Sequence, residues 1–330
     1  MVSLGKFRHM SQCSTADGHF VILAIDHRAN LREALSAARG MPVDDTEVGD
    51  FKRDVVVALG DLCSGVLGDP AFVLGYGIAS GLLRGNQGLI APVEVTNYAL
   101  HPSDREVQFI PGWNVEKAKR VGLNGMKLLL YFHPDAPTAP QRIRLAQMVA
   151  DVCSRYDIPL FLEPILHPLK TRPVMSSDER IRASIETARS MVEAGADILK
   201  LEFPVDVMVE QDEYLWENAL RAVNAACGDV PWVLLSGGME AAVFARQAEF
   251  ACKAGASGVM AGRALWNPAV KAGAGGADSR ISALQTRARR DLDHLANIVK
   301  AHASPFWEKT GRPSVSFNWY EGYSGFNGAK

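Results

Sequence analysis

A lysine stands in the middle of the apolar run Asp197-Ile198-Leu199-Lys200-Leu201-Glu202-Phe203, which reads as a buried parallel strand. Side chains alternate along a strand, so Lys200 shares a face with Ile198 and Glu202, while Leu199, Leu201 and Phe203 share the other. The apolar face needs a covering layer of helices, and that turns Lys200 inward. Removing water from an amine favours its neutral form, and a neutral amine attacks a ketone to give a Schiff base. A buried ion pair is the competing reading of one such lysine. Repetition argues for chemistry instead. The run from Val21 ends in Asp26, Gly125–Tyr131 carries Lys127, Pro159–Leu162 leads to Glu163, Trp232–Leu235 to Ser236, and Ser257–Gly262 to Arg263. Six polar groups near the ends of strand-like segments describe a site.

Two lysines on inward faces of one narrow enclosure would feel each other, so one can stay neutral and nucleophilic while the other remains an ammonium. Lys200 is the preferred nucleophile, although spacing alone does not separate it from Lys127. Glu163, on the segment between them, is placed to move protons during carbinolamine dehydration and carbon–carbon cleavage. Asp26 is placed to orient a lysine or bind substrate hydroxyls. Ser236-Gly237-Gly238 and Gly262-Arg263 follow the last two strand-like segments, where barrel loops bind phosphate through backbone N–H groups; Arg263 adds a fork of donors suited to a tetrahedral anion.

Short apolar runs near 21–26, 63–67 or 71–75, 89–95, 125–131, 158–163, 197–203, 232–236 and 257–261 alternate with amphipathic stretches near 48–62, 114–122, 140–156, 178–195, 212–227, 240–254 and 280–303. Eight strands, most followed by a helix, predict an α/β chain folded as a (β/α)8 TIM barrel, whose strands all converge on one active-site face. An open doubly wound sheet would not need polar residues at nearly every strand end. The expected organisation is one barrel domain over 1–330, with a flexible loop at 271–279 and an aromatic, glycine-rich extension at about 304–330. Its Phe317, Trp319, Tyr320, Tyr323 and Phe326 are expected to pack over the barrel or against another subunit.

With 48% hydrophobic and 22% charged residues, 330 residues can bury a full core. A formal net charge of -2 argues against nucleic acid or a polybasic membrane surface as the partner. No apolar run reaches membrane-spanning length, and the N-terminus lacks the apolar core of a signal peptide. Five scattered cysteines without a CxxC pair favour reduced thiols in a cytoplasmic protein. Neither a dinucleotide fingerprint nor an HExxH motif is present, so no cofactor or metal is expected.

The motifs Leu-Ala-Ile-Asp-His-Arg at 23–28, Pro-Gly-Trp-Asn at 111–114, Met-Lys-Leu-Leu-Leu-Tyr at 126–131, Phe-Leu-Glu at 161–163, Asp-Ile-Leu-Lys-Leu-Glu-Phe-Pro-Val at 197–205, Leu-Ser-Gly-Gly at 235–238 and Gly-Ala-Ser-Gly-Val-Met-Ala-Gly-Arg-Ala-Leu-Trp at 255–266 occur in order. With them the chain resembles the class I tagatose 1,6-bisphosphate aldolase family, which also includes sulfofructosephosphate aldolases. The resemblance implies that Lys200 forms the Schiff base, that Glu163 and Lys127 are acid–base and orienting groups, and that Asp26 contacts substrate. It places Ser236, Gly238, Gly262 and Arg263 at the substrate phosphate. Where the family usually has Gln, this chain has His27, whose charge can change near neutral pH and which is expected, with Arg28, at the substrate. Asp26-His27-Arg28 and His133-Pro134-Asp135 are also similar to relatives acting on 5-dehydro-2-deoxyphosphogluconate.

The expectation is a metal-independent class I aldolase acting on a small phosphosugar as a homo-oligomer, with no nucleic-acid or membrane partner. Its expected substrate is a ketohexose 1,6-bisphosphate such as tagatose 1,6-bisphosphate, cleaved to dihydroxyacetone phosphate and glyceraldehyde 3-phosphate. Alternatives are 6-deoxy-6-sulfofructose 1-phosphate or 5-dehydro-2-deoxyphosphogluconate by the same mechanism. From other classes come a phosphosugar epimerase or isomerase using Glu163 and Asp26, and a non-catalytic phosphosugar-binding regulator.

Overall fold

In the computed structural model, which describes residues 2–95 and 100–323, eight parallel strands close into a barrel. They are β1 (Phe20–Ile25), β2 (Gly65–Gly68), β3 (Gly88–Pro92), β4 (Gly125–Phe132), β5 (Leu160–Leu166), β6 (Ile198–Leu201), β7 (Trp232–Leu235) and β8 (Gly258–Ala261). Neighbours pair in sequence order, and β8 closes on β1 through Phe20↔Gly258 to Leu23↔Ala261. The helices are α1 (Leu4–Cys13), α2 (Ala29–Arg39), α3 (Asp45–Leu59), α4 (Gly75–Ala79), α5 (Val115–Val121), α6 (Ala139–Arg155), α7 (Ser177–Glu193), α8 (Glu213–Ala226), α9 (Ala241–Lys253), α10 (Arg263–Ala272), α11 (Ala277–Ala283), α12 (Arg289–His302) and α13 (Trp307–Thr310).

Period-2 alternation divides the strand residues between two cores. Val21, Leu23, Met126, Leu128, Leu162, Leu199, Leu234 and Val259 face the helix layer. Phe20, Ile22, Ala24, Leu67, Ile90, Phe161, Ile198, Val233 and Met260 fill the barrel interior. Met10 and Cys13 of α1, with Phe306, join this inner cluster from below, so the end where the strands begin is plugged with apolar side chains. Continuing each inward row beyond the plug reaches Asp26, Lys127, Glu163 and Lys200, and the mouth is therefore polar.

Four local expectations change. The second strand is Gly65–Gly68, not 71–75; Asp69 accepts from the Ala71 and Phe72 amides and pairs with Lys52 in a fully buried ion pair, turning 70–74 into helix. α1 and α2 were not expected, and α2 lacks a side-chain cap to announce it. Residues 271–279 are not a flexible loop: α10 runs to Ala272, α11 begins at Ala277, and Arg280 pairs with Asp54 of α3. The tail lies at the plugged end, where Tyr323 accepts from the Gly5 amide at 2.7 Å and donates to Asp157, while Phe317 is wholly exposed. Phe326 lies outside the described residues. All five cysteines are unpaired.

Closure depends on a close approach of β8 to β1. Gly258 has φ 142°, and an added Cβ would lie 2.0 Å from the Phe20 carbonyl oxygen. Gly258→Ala is expected to destabilise the fold by about 3 kcal/mol or more in urea unfolding; a loss below about 1 kcal/mol would contradict this packing.

Candidate active site

The polar mouth encloses a cavity of about 160 Å³ lined by Asp26, His27, Arg28, Glu94, Lys127, Glu163 and Lys200, among others. Asp26 follows β1, Glu94 lies just beyond β3, and Lys127, Glu163 and Lys200 point in from β4, β5 and β6. Lys127 Nζ is 2.7 Å from Glu94 Oε1, 3.0 Å from Asp26 Oδ2 and 3.2 Å from Glu163 Oε2. Among the described residues, Lys200 Nζ contacts a single carboxylate oxygen, Glu163 Oε1, at 2.8 Å. Glu163 thus bridges the two amines, one oxygen to each.

Burial and charge act against each other at every member. Burial alone would neutralise Lys127, but Asp26, Glu163 and Glu94 outweigh it and hold the amine well above the usual lysine range, as an ammonium. For Asp26, burial is outweighed by Lys127, His27 and Lys200, and its carboxyl lies well below the carboxylate range. Glu163 is lowered because Lys127 and Lys200 overcome its burial. Glu94 goes the other way: burial prevails over Lys127 and raises it.

The loops after β7 and β8 meet next to His27 without lining this cavity; Ser236 and Gly237 line a second hollow with Arg180, Glu202 and Phe203. Gly237 and Gly238 both have positive φ, 55° and 87°, and the Arg263 guanidinium lies so close over Gly238 that a Cβ there would sit 3.4 Å from its Cζ. The Gly262 amide points to Ser236 Oγ at 3.4 Å. Gly262 itself packs on β1, since an added Cβ would be 2.7 Å from the Ala24 carbonyl oxygen. The sequence-predicted Ser236, Gly237, Gly238, Gly262 and Arg263 therefore form one backbone-rich cradle with a guanidinium beside it.

His27 and Arg28 diverge. The His27 ring stands edge-on to Trp266 at 5.2 Å, with Nδ1 3.7 Å from Asp26 Oδ1. Burial, with Arg263, Lys200 and Lys127 adding to it and Asp26 opposing, lowers its pKa to about 4. The expected charge change near neutrality does not occur: His27 is neutral there. Arg28 turns toward β3 and donates through Nη2 to the Glu94 carbonyl at 2.7 Å.

A family model described as DeoC/LacD family aldolase matches residues 20–268. The chain belongs to the DeoC/LacD aldolase family. It is a carbon–carbon lyase of that family, and the matched span runs from β1 to α10, through every residue of the cavity. A tagatose 1,6-diphosphate aldolase from Listeria monocytogenes is 29% identical over 330 residues, covering 94% of this chain and 96% of the relative. Tagatose 1,6-diphosphate aldolase 2 of Streptococcus mutans is 26% identical, covering 94% and 98%. Among solved structures, a Schiff base forming fructose-1,6-bisphosphate aldolase shares the barrel fold with a TM-score of 0.60 at 19% identity, covering 89% of this chain and 99% of that one.

Glu94 was missed by the sequence reading. Its signal was available: in Ile90-Ala91-Pro92-Val93-Glu94 it occupies the inward row with Ile90 and Pro92. Among the described residues, no group of three or more His, Cys, Asp or Glu side chains could hold a metal ion, and no helix is long and apolar enough to cross a membrane.

The depressed His27 pKa gives a signed pH dependence. Between its ordinary value of 6.5 and about 4, the unfolded chain binds this proton and the folded chain does not, so His27 subtracts stability as pH falls through that window. His27→Gln is expected to lose less stability than the parent on acidification from pH 6.5 to 4 in urea unfolding; equal losses would contradict a buried neutral imidazole.

Proposed function

We propose that this aldolase works through a Schiff base on Lys200 and cleaves a ketohexose 1,6-bisphosphate, such as tagatose 1,6-bisphosphate, to dihydroxyacetone phosphate and glyceraldehyde 3-phosphate. The observation that carries the reading is the unequal sharing of carboxylates: among the described residues three grip Lys127, while Lys200 has only Glu163. An ammonium held by three anions has no lone pair to offer. Lys200 can pass a proton to Glu163 and attack the C2 carbonyl.

Glu163 then returns a proton to the departing carbinolamine oxygen, leaving an iminium between Lys200 and C2. As the C3–C4 bond breaks, its electrons flow to the iminium nitrogen, the O4 proton passes to Glu163, and the aldehyde leaves. Glu163 protonates C3 of the enamine, and water hydrolyses the regenerated iminium to release dihydroxyacetone phosphate. Lys127 steadies the negative charge that develops on substrate oxygen, and Asp26 keeps Lys127 oriented. The iminium supplies the electron sink, so this route requires no metal. The names of the Listeria and Streptococcus relatives support the tagatose bisphosphate reading.

In this reading Ser236, Gly237, Gly238, Gly262 and Arg263 hold the C1 phosphate, and His27 and Arg28 flank the substrate on the β1 side. The exposed Phe317 and Tyr320 favour a homo-oligomer, and five unpaired thiols favour the cytoplasm.

Borohydride with dihydroxyacetone phosphate is expected to fix an adduct on the peptide carrying Lys200, and EDTA to leave the cleavage rate unchanged. An adduct on Lys127, or EDTA-sensitive cleavage, would overturn the assignment. Arg263→Ala removes a charge-assisted contact of roughly 1.5–3 kcal/mol, so kcat/KM should fall by about one to two decades. Trapping of unphosphorylated dihydroxyacetone should be nearly unchanged in that variant; a parallel loss would place Arg263 elsewhere in the chemistry.

A further inference from the structure

Around the barrel mouth the order of strands is β8, β7, β6, β5, β4, β3. A ligand with its C1 anion on the β7–β8 loops and C2 at Lys200 must lay the rest of its chain away from β7, across the mouth toward β3. Glu94 is the side chain waiting there. It is 2% exposed and lines the cavity; Oε1 is committed to Lys127, but Oε2 is buried with no hydrogen-bond partner among the described residues.

Its position is held from both sides. Arg28 donates to its carbonyl, and the pairing Glu94↔Phe109 fixes the backbone in a short antiparallel hairpin. A buried polar atom without a partner needs an explanation, and a substrate group is one. An anionic group does not suit a carboxyl oxygen, whereas a hydroxyl does, because it can donate to the carboxylate or accept from the acid. Burial, opposed by Lys127, raises the Glu94 carboxyl.

We propose that Glu94 is a specificity-determining residue whose Oε2 hydrogen-bonds the hydroxyl on the carbon next to the aldehyde, which is C5 of the intact ketose. The enzyme thereby selects α-hydroxyaldehydes as the half released from the enamine. This rests on the Schiff-base reading above, with Lys200 at C2 and the β7–β8 loops at C1.

The test runs the reaction in the condensation direction. Dihydroxyacetone phosphate is combined with glyceraldehyde 3-phosphate or with the same aldehyde lacking its 2-hydroxyl. Glu94→Ala is expected to lower kcat/KM for both aldehydes through the loss of a Lys127 partner, and about 10- to 100-fold further for the hydroxylated aldehyde than for the deoxy analogue. Borohydride trapping of dihydroxyacetone phosphate on Lys200 should persist. Glu94→Gln, which keeps the shape and secures the comparison if the alanine variant misfolds, should give a smaller loss, again greater for the hydroxylated aldehyde. Equal losses with both aldehydes would reduce Glu94 to a support for Lys127, and no loss with either would remove it from recognition; both overturn the proposal. Failure of the Schiff-base reading would show itself separately, as absent trapping in the unaltered enzyme.

Discussion

Lys127 is buried, and its charge persists there because Asp26, Glu94 and Glu163 bring carboxylate oxygens within 2.7 to 3.2 Å. These three come from the ends of β1, β3 and β5, so one ammonium ties together four parts of the barrel mouth. Neutralising it would leave three carboxylates facing one another without a cation, a state that burial makes costly. In the proposed mechanism the same arrangement divides the labour of the two lysines: Lys127 stays a cation, Lys200, which among the described residues pairs with Glu163, is the nucleophile, and Glu163 is the proton route between them.

The barrel separates stability from chemistry along its axis. At the plugged end, Phe20, Phe161 and Phe306 pack edge-on or tilted, and the C-terminal segment is fastened by Tyr323 to Asp157. At the mouth, charged groups are mounted on strand ends and on loops held by cross-strand contacts. Trp266 shows how the two levels are linked. Its indole donates to the Ala24 carbonyl at 3.0 Å while its ring supports His27, so the start of α10, with Arg263, is fixed against β1.

Much of this was legible in the sequence because strand alternation is a strict code. Asp26, Lys127, Glu163 and Lys200 each follow an inward apolar residue two positions earlier or stand in the same row, and the structure brings all four to one cavity. Glu94 obeys the same rule, but Pro92 interrupts the strand signal just before it. The short β2 sits between glycines, and its competitor at 71–75 is equally apolar; only the buried Lys52–Asp69 pair decides between them. Small residues at 271–279 resemble a linker in composition, yet Arg280 anchors the following helix. His27 is identifiable as an oddity from sequence, whereas its neutral state comes from tertiary burial and from nearby cations that sequence order does not place beside it.

A crystal structure of the enzyme soaked with dihydroxyacetone phosphate tests the central claim most directly. The account predicts continuous density from Lys200 Nζ to C2 of the ligand, with the phosphate in the cradle of Ser236–Gly238, Gly262 and Arg263, and Lys127 still bound to its three carboxylates. Density joining the ligand to Lys127, or a phosphate bound away from that cradle, would contradict it.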